Sequence, residues 1–263
     1  MSKINIYTEE EIKILKEGGK ILFSILETLK EEALENVSTD TLNKRANDLC
    51  IENNAIPAFL NYTPHGADRP FPGAICISIN HEDVHGIPNE KPRVLKKGDV
   101  VTLDMGLKYK NMFTDSAITL VVGGKEYNKI GQEMIDVANR ALYNAIDFVK
   151  PGIRTGDIGY IVEKTVKENK GGKYKIPTIL GGHGIGHGIH EDPFVPNFGK
   201  KGEGVILKEG NVIAIEPILT QNSTSMNVLN DGYTFVTTDK GLSVHVEHTI
   251  VVTKDGCEIL TTC

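Results

Sequence analysis

The sequence predicts an α+β protein of two related halves that share one core. Three features carry this reading: helical periodicity precedes strand-like runs in each half, a strand pattern recurs at a fixed offset, and no flexible linker parts the copies. Residues 95–104, Leu-Lys-Lys-Gly-Asp-Val-Val-Thr-Leu-Asp, align without gaps on 207–216, Leu-Lys-Glu-Gly-Asn-Val-Ile-Ala-Ile-Glu, 112 residues further on. A carboxylate closes both copies. Residues 37–42, followed by Glu52-Asn53, align on 153–158, followed by Glu168-Asn169, at an offset of 116. Chance likeness between amphipathic helices could explain the second match alone, but not the ungapped strand match. The chain therefore reads as one domain, 1–263, made of halves 1–124 and 125–263 that divide near Gly123-Gly124.

Taken in order, Thr8-Glu9-Glu10-Glu11 has capping-box spacing, and Ile14, Leu15, Ile21, Leu22, Ile25, Leu26 and Leu29 follow at helical spacing, which predicts a helix over 9–34 weakened by Gly18-Gly19. A second helix is expected over 39–52. A Pro/Gly-rich loop, 62–73, leads into a mostly buried strand at 74–80. Strands at 99–106 and 112–122 follow, separated by Lys108-Tyr109-Lys110-Asn111. A helix over 128–149 is stopped by Pro151-Gly152, and another spans 155–169.

With 263 residues, 40% hydrophobic and 24% charged, the chain can bury a full core. No apolar run approaches the roughly 18–20 residues of a membrane span, and residues 1–20 lack an export pattern. Cys50, Cys76, Cys257 and Cys263 show no CxxC spacing, which points to a reducing cytoplasm. A net charge of −6 without a dense basic run argues against nucleic acid as the main partner.

Chemistry enters with acids on apolar strands. If 99–106 and 112–122 form a hairpin through Lys108–Asn111, Asp104 and Asp115 face each other directly, an arrangement of like charges that needs a cation. Two surface aspartates on a half-exposed hairpin are the plainer alternative. The second half repeats the device, with Glu216 in Val-Ile-Ala-Ile-Glu-Pro-Ile and Glu247 in Val-His-Val-Glu-His-Thr-Ile-Val-Val. Buried carboxylates need a counter-charge, and no lysine or arginine lies in these segments. Between them, 181–193 reads Gly-Gly-His-Gly-Ile-Gly-His-Gly-Ile-His-Glu-Asp-Pro, too glycine-rich for a helix, so His183, His187 and His190 come from an irregular, closely approached backbone. One imidazole with four carboxylates suits manganese, iron, cobalt or zinc in a two-metal site. His81-Glu82-Asp83-Val84-His85 matches the zincin motif literally. A preceding strand-like run and the following Gly86 and Pro88 deny it the helix that motif requires.

Residues 76–88, 100–116, 181–193, 213–217 and 246–252, five motifs in order across almost the whole chain, resemble those of type I methionine aminopeptidases. The resemblance implies a pita-bread fold, two pseudo-symmetric halves with antiparallel sheet inside and helices outside. It implies Asp104, Asp115, His183, Glu216 and Glu247 as ligands of two divalent ions, with Asp115 and Glu247 bridging. It further implies removal of N-terminal methionine before a small second residue, by hydroxide attack from the dinuclear centre. Glu216 would move the proton, His190 would stabilise the oxyanion, and His85 would contact the peptide nitrogen. Phe71, Cys76, Ile189 and Tyr233 match the methionine pocket, at positions where tyrosine, cysteine, phenylalanine and tryptophan are common in that family. The partners implied are nascent polypeptides or peptides with a free N-terminal methionine, met by a cytoplasmic monomer with no membrane contact; ribosome docking is left open. The chain's own Met1-Ser2 start would qualify as substrate. Rival readings are a non-catalytic relative, which would be expected to lack ligands; a prolidase, aminopeptidase P or creatinase, which usually carry an additional N-terminal domain; and the zincin.

Overall fold

The computed structural model describes residues 4–169 and 172–263, so Met1-Ser2 lies outside the described residues. Among the described residues four α-helices form where caps and periodicity place them: α1 (Glu9–Glu32), α2 (Thr39–Glu52), α3 (Lys129–Phe148) and α4 (Thr155–Glu168). Thr8 and Glu11 make the expected capping box, Ser38 accepts from Thr41 N, and Asn128 accepts from Gly131 N. Gly19 is a packing residue, because a Cβ there would lie 2.1 Å from the Leu260 carbonyl oxygen. Its lack of a side chain lets α1 press onto the end of the chain.

The strands are β1 (Ile56–Pro57), β2 (Cys76–Ile79), β3 (Val100–Tyr109), β4 (Met112–Val121), β5 (Gly181–Gly184), β6 (Glu191–Pro196), β7 (Val212–Ile215), β8 (Ile218–Thr220), β9 (Met226–Val228), β10 (Phe235–Thr237), β11 (Ser243–His245), β12 (Glu247–Val252) and β13 (Cys257–Ile259). The main sheet is antiparallel and runs β1-β3-β4-β12-β7-β5-β6, with β2 on β3 and β13 on β12. Strands before and after α3 and α4 meet where Glu247 pairs with Ala117 and His248 with Ser116.

Two-residue alternation divides the sheet into a helix side and a site side. Val101, Leu103, Met105 and Leu107 join the core under α1 and α2, whereas Asp104 points to the other face. Ile213, Ile215, Ile250 and Val252 likewise join the core under α3 and α4, leaving Glu247 to the opposite side. Among the described residues no helix is long and apolar enough to cross a membrane.

The expected hairpin register is corrected by two residues. Tyr109 pairs with Met112 across a two-residue turn, Lys110-Asn111, so Asp104 faces Ala117 and Asp115 faces Gly106. Both turn residues have positive φ, 46° and 67°, the twist that two-residue hairpins favour and that asparagine tolerates. A slip of two residues preserves facing, whereas a slip of one would have reversed it. Asp104 and Asp115 are therefore diagonal neighbours on one face rather than direct partners.

Candidate active site

Five residues on or next to strands converge on one cavity: Asp104 from β3, Asp115 from β4, His183 from β5, Glu216 just after β7, and Glu247 at the start of β12. The four acids are nearly sealed, with exposures of 7%, 3%, 9% and 2% in that order. Backbone contacts fix them: Asp115 N donates to Thr249 Oγ1 (2.9 Å), Ser116 Oγ to the Glu247 carbonyl (2.7 Å), and Asn197 Nδ2 to the Glu216 carbonyl (2.8 Å). The first four residues of the expected irregular glycine-rich stretch are in fact a strand. Gly182 and Gly184 allow this, since a Cβ on either would lie 2.2 or 2.1 Å from a carbonyl oxygen of Ala214 or Asp192.

Asp104, Asp115 and Glu247 offer oxygens that all lie within 4.8 Å of one another, and His183, Glu216 and Glu247 offer a second such set. Asp115 also belongs to a third set, with His183 and His190. Glu247 and Asp115 thus each stand in more than one donor group. His183 Nδ1 donates to the Gly184 carbonyl (2.9 Å), which leaves Nε2 as a lone-pair donor 3.8 Å from Glu216 Oε1.

Electrostatics requires a guest. Burial raises the Asp104 carboxyl to about 6, moderated by His245. Burial, then repulsion from neighbouring carboxylates, pushes Asp115, Glu216 and Glu247 well above the ordinary carboxylate range. Among the described residues no lysine or arginine pairs with any of the four; their imidazole neighbours are His183, His190 and His245. Glu247 Oε1 and both His245 ring nitrogens are buried with no hydrogen-bond partner. Oxygen-rich donors with imidazole and orphaned buried lone pairs fit divalent cations.

The rim is neutral and the wall apolar. Burial first, then repulsion from His190 and His245, lowers His85 to about 4, and burial lowers His183 to about 4. His190 stands at the mouth, open on one side while its ring packs between Tyr62 and His183. That packing and the His183 ring lower its pKa, and its Nδ1 lies 3.1 Å from Tyr62 Oη. Phe71, Cys76 and Tyr233 line the cavity, and burial holds the Cys76 thiol neutral. Ile189 does not line it but packs behind, in the same apolar cluster, where a Cβ at Gly106 would meet its Cδ1 at 2.7 Å.

Sequence reasoning missed Phe59, Tyr62 and Val84 in the wall, and His245 among the acids. For His245 the signal existed: it precedes Glu247 by two in an alternating run, which is one face of a strand. The zincin motif is not helical; Glu82 instead pairs with Arg93 Nη1 (2.7 Å) and accepts from Ile79 N (2.9 Å).

Carboxylates that cannot stay ionised together without a multivalent cation, opening on an apolar recess that suits one side chain, define the class as a metallohydrolase. Residues 13–254 match metallopeptidase family M24. A methionine aminopeptidase of Aquifex aeolicus (strain VF5) is 40% identical over 98% of both chains. The crystal structure of a methionine aminopeptidase from Thermotoga maritima superposes with a TM-score of 0.92 at 34% identity, covering 99% of this chain and 100% of that one. A prolidase from Pyrococcus furiosus shares the fold more distantly, with a TM-score of 0.74 at 26% identity, and this chain covers 65% of it. The chain belongs to metallopeptidase family M24 and, within it, to the methionine aminopeptidases. It is a metalloexopeptidase of pita-bread fold that uses divalent metal.

Proposed function

We propose that this chain removes N-terminal methionine from peptides and nascent proteins whose second residue is small, using two divalent ions held by Asp104, Asp115, His183, Glu216 and Glu247. The observation that carries this is the pair of donor sets sharing Glu247, placed beneath an apolar recess. Asp115 and Glu247 each stand in two of the donor sets, which supports the reading that both would be shared between the ions. Cobalt, manganese, iron and zinc all suit the donors. Such ions, when bound, polarise the scissile carbonyl and bring the pKa of water towards neutrality.

The side chains do the rest. Glu216, its pKa raised by burial and by Glu247, accepts a proton on its carboxylate and returns it to the departing amine. His190, with Nδ1 against Tyr62, directs its other nitrogen to the developing oxyanion, and neutral His85 contacts the peptide nitrogen. Phe59, Phe71, Cys76 and Tyr233 wall the recess that takes the methionine side chain, with Ile189 behind them. We further infer one catalytic domain of related halves, 1–124 and 125–263, that works as a cytoplasmic monomer. Four free thiols and the repeated helix-pair-then-strand order support that reading.

Hydrolysis of Met-Ala-Ser after metal removal and readdition tests the proposal, beside N-acetylated, Pro-containing and Met-Arg controls. Release of methionine from Met-Ala-Ser alone, only with metal restored, is expected. Equal turnover of Met-Ala and Met-Arg peptides would overturn the specificity, and turnover without metal would overturn the centre.

A further inference from the structure

His245 has no part assigned to it so far, yet it is buried with both ring nitrogens unpaired beside two acids of the site. It closes β11, is 2% exposed, and sets Nε2 at 3.5 Å from Glu216 Oε2 and at 3.5 Å from Glu247 Oε2. Both ring nitrogens are buried with no hydrogen-bond partner, and the ring borders the cavity. The backbone around it is pinned: His245 N donates to Thr119 Oγ1 at 3.2 Å, the Thr119 hydroxyl donates to its carbonyl at 2.5 Å, and the residue pairs with Ile218 of β8.

A ring so held cannot turn away to solvent, and a leucine of similar bulk would fill the space without burying unpaired polar atoms. What the imidazole supplies, and a leucine cannot, is a donor between two carboxylates that have no lysine or arginine among the described residues. Other charged groups face the same region. Asp83 is fully buried, takes a hydrogen bond from Ser243 on the same strand as His245, and keeps Oδ2 unpartnered; Asp104 lies on the cavity floor. Fixed donors that orient metal-binding side chains are as much a part of such centres as the ligands.

We propose that His245 is a positioning residue of the metal centre: its Nε2, 3.5 Å from one oxygen of Glu216 and one of Glu247, attracts both carboxylates through space and keeps them in the orientation that receives the ions. The inference rests on the reading of Glu216 and Glu247 as ligands. It assigns no step of the hydrolysis to His245.

The test uses the full chain and cobalt(II) alone as probe, with affinity read by chelator competition and geometry by the visible spectrum of the bound ion. His245→Gln keeps an N–H donor at similar reach, His245→Asn keeps the amide but shortens it, and His245→Leu removes the donor. We expect His245→Leu and His245→Asn to bind cobalt about 10- to 100-fold more weakly, with altered spectra. His245→Gln should stay within about threefold of the parent. The metal-free His245→Leu protein should melt no lower than the parent, because it loses only an unpaired buried ring. Parent-like cobalt affinity in both His245→Leu and His245→Asn overturns the proposal, as does equal loss in His245→Gln. If His245→Leu does not fold, the Gln and Asn pair decides alone. Failure of the underlying reading looks different: the parent itself would then bind no cobalt, or Glu216→Gln and Glu247→Gln would leave its binding unchanged.

Discussion

Two segments of this chain set histidines beside acids, 81–85 and 183–191, and they differ in what happens to their polar atoms. In the first, Glu82 is buried but saturated, by Arg93 and by Ile79 N, and the backbone is tied to β10 through Asp83 N and the Phe235 carbonyl. In the second, His183 spends one nitrogen on its own backbone and aims the other at Glu216. The lesson is that a motif is a site only where ligand atoms left unsatisfied by the fold also open on the cavity; Asp83 Oδ2 is buried and unsatisfied too, but Asp83 does not line it. The 81–85 loop is itself split on this criterion, since His85 borders the cavity while Glu82 turns to Arg93.

The sharpest way to break this comparison is to remove acids from the site that the second segment joins. Glu216→Ala should reduce Met-Ala-Ser turnover by a factor of about 100 to 10,000 or abolish it, the usual worth of a group that moves the proton. Asp104→Asn comes next, with metal affinity and activity falling together by about 10- to 100-fold, since one charge leaves an ion that few protein groups hold. Full activity and unchanged metal content in Asp104→Asn would remove the two-ion assignment.

Acid titration sharpens the contrast further. Ions bind only ionised carboxylates, and Asp104 is raised to about 6 while Asp115, Glu216 and Glu247 are pushed well above the ordinary carboxylate range, so protons compete with metal well before that ordinary range is reached. His183, lowered to about 4, does not compete in that window. Apparent cobalt affinity should therefore fall steadily between pH 7 and 5 in binding titrations; a flat profile down to pH 5 would mean that the carboxylates are not the ligands.

Much of this arrangement was legible beforehand, and for definite reasons. Helix limits follow from caps such as Thr8, Ser38 and Asn128, and the acids stand out because each interrupts an apolar run. The hairpin register was misplaced by assigning four residues to the turn, where Lys110 and Asn111 suffice. Phe59 and Tyr62 were invisible because loop residues carry no periodicity that says which way they point. His245 is hidden by its company: inside Val-His-Val-Glu its spacing from Glu247 puts it on the same face, and burial with both nitrogens unpaired is what sets it apart from an ordinary strand residue. His248, three residues on, is the instructive contrast, its Nδ1 2.9 Å from Thr261 Oγ1 and its Nε2 3.3 Å from the Tyr143 hydroxyl.

The smaller effects belong to the saturated loop. Glu82→Ala should leave kcat/KM for Met-Ala-Ser within about threefold of the parent. It should destabilise the protein by about 1–3 kcal/mol, because Arg93 loses a partner in a mostly buried place while keeping its bond to the Ile77 carbonyl. At this size that is a fall in Tm of about 2–4 °C per kcal/mol, readable by calorimetry.

His81→Ala should do least of all. The tie of His81 to the fold is through its backbone, whose carbonyl accepts from Thr237 N, and its ring is partly open to solvent, so truncation removes no hydrogen bond that holds the loop. A stability change within about 0.5 kcal/mol is expected, with metal content and turnover unchanged. Under a zincin reading the same ring would be an indispensable ligand, and Glu216 would be irrelevant to metal. Elemental analysis of His81→Ala and Glu216→Ala proteins purified in parallel therefore separates the two segments directly. Loss of metal from His81→Ala with retention in Glu216→Ala would reverse the assignment of site and decoy.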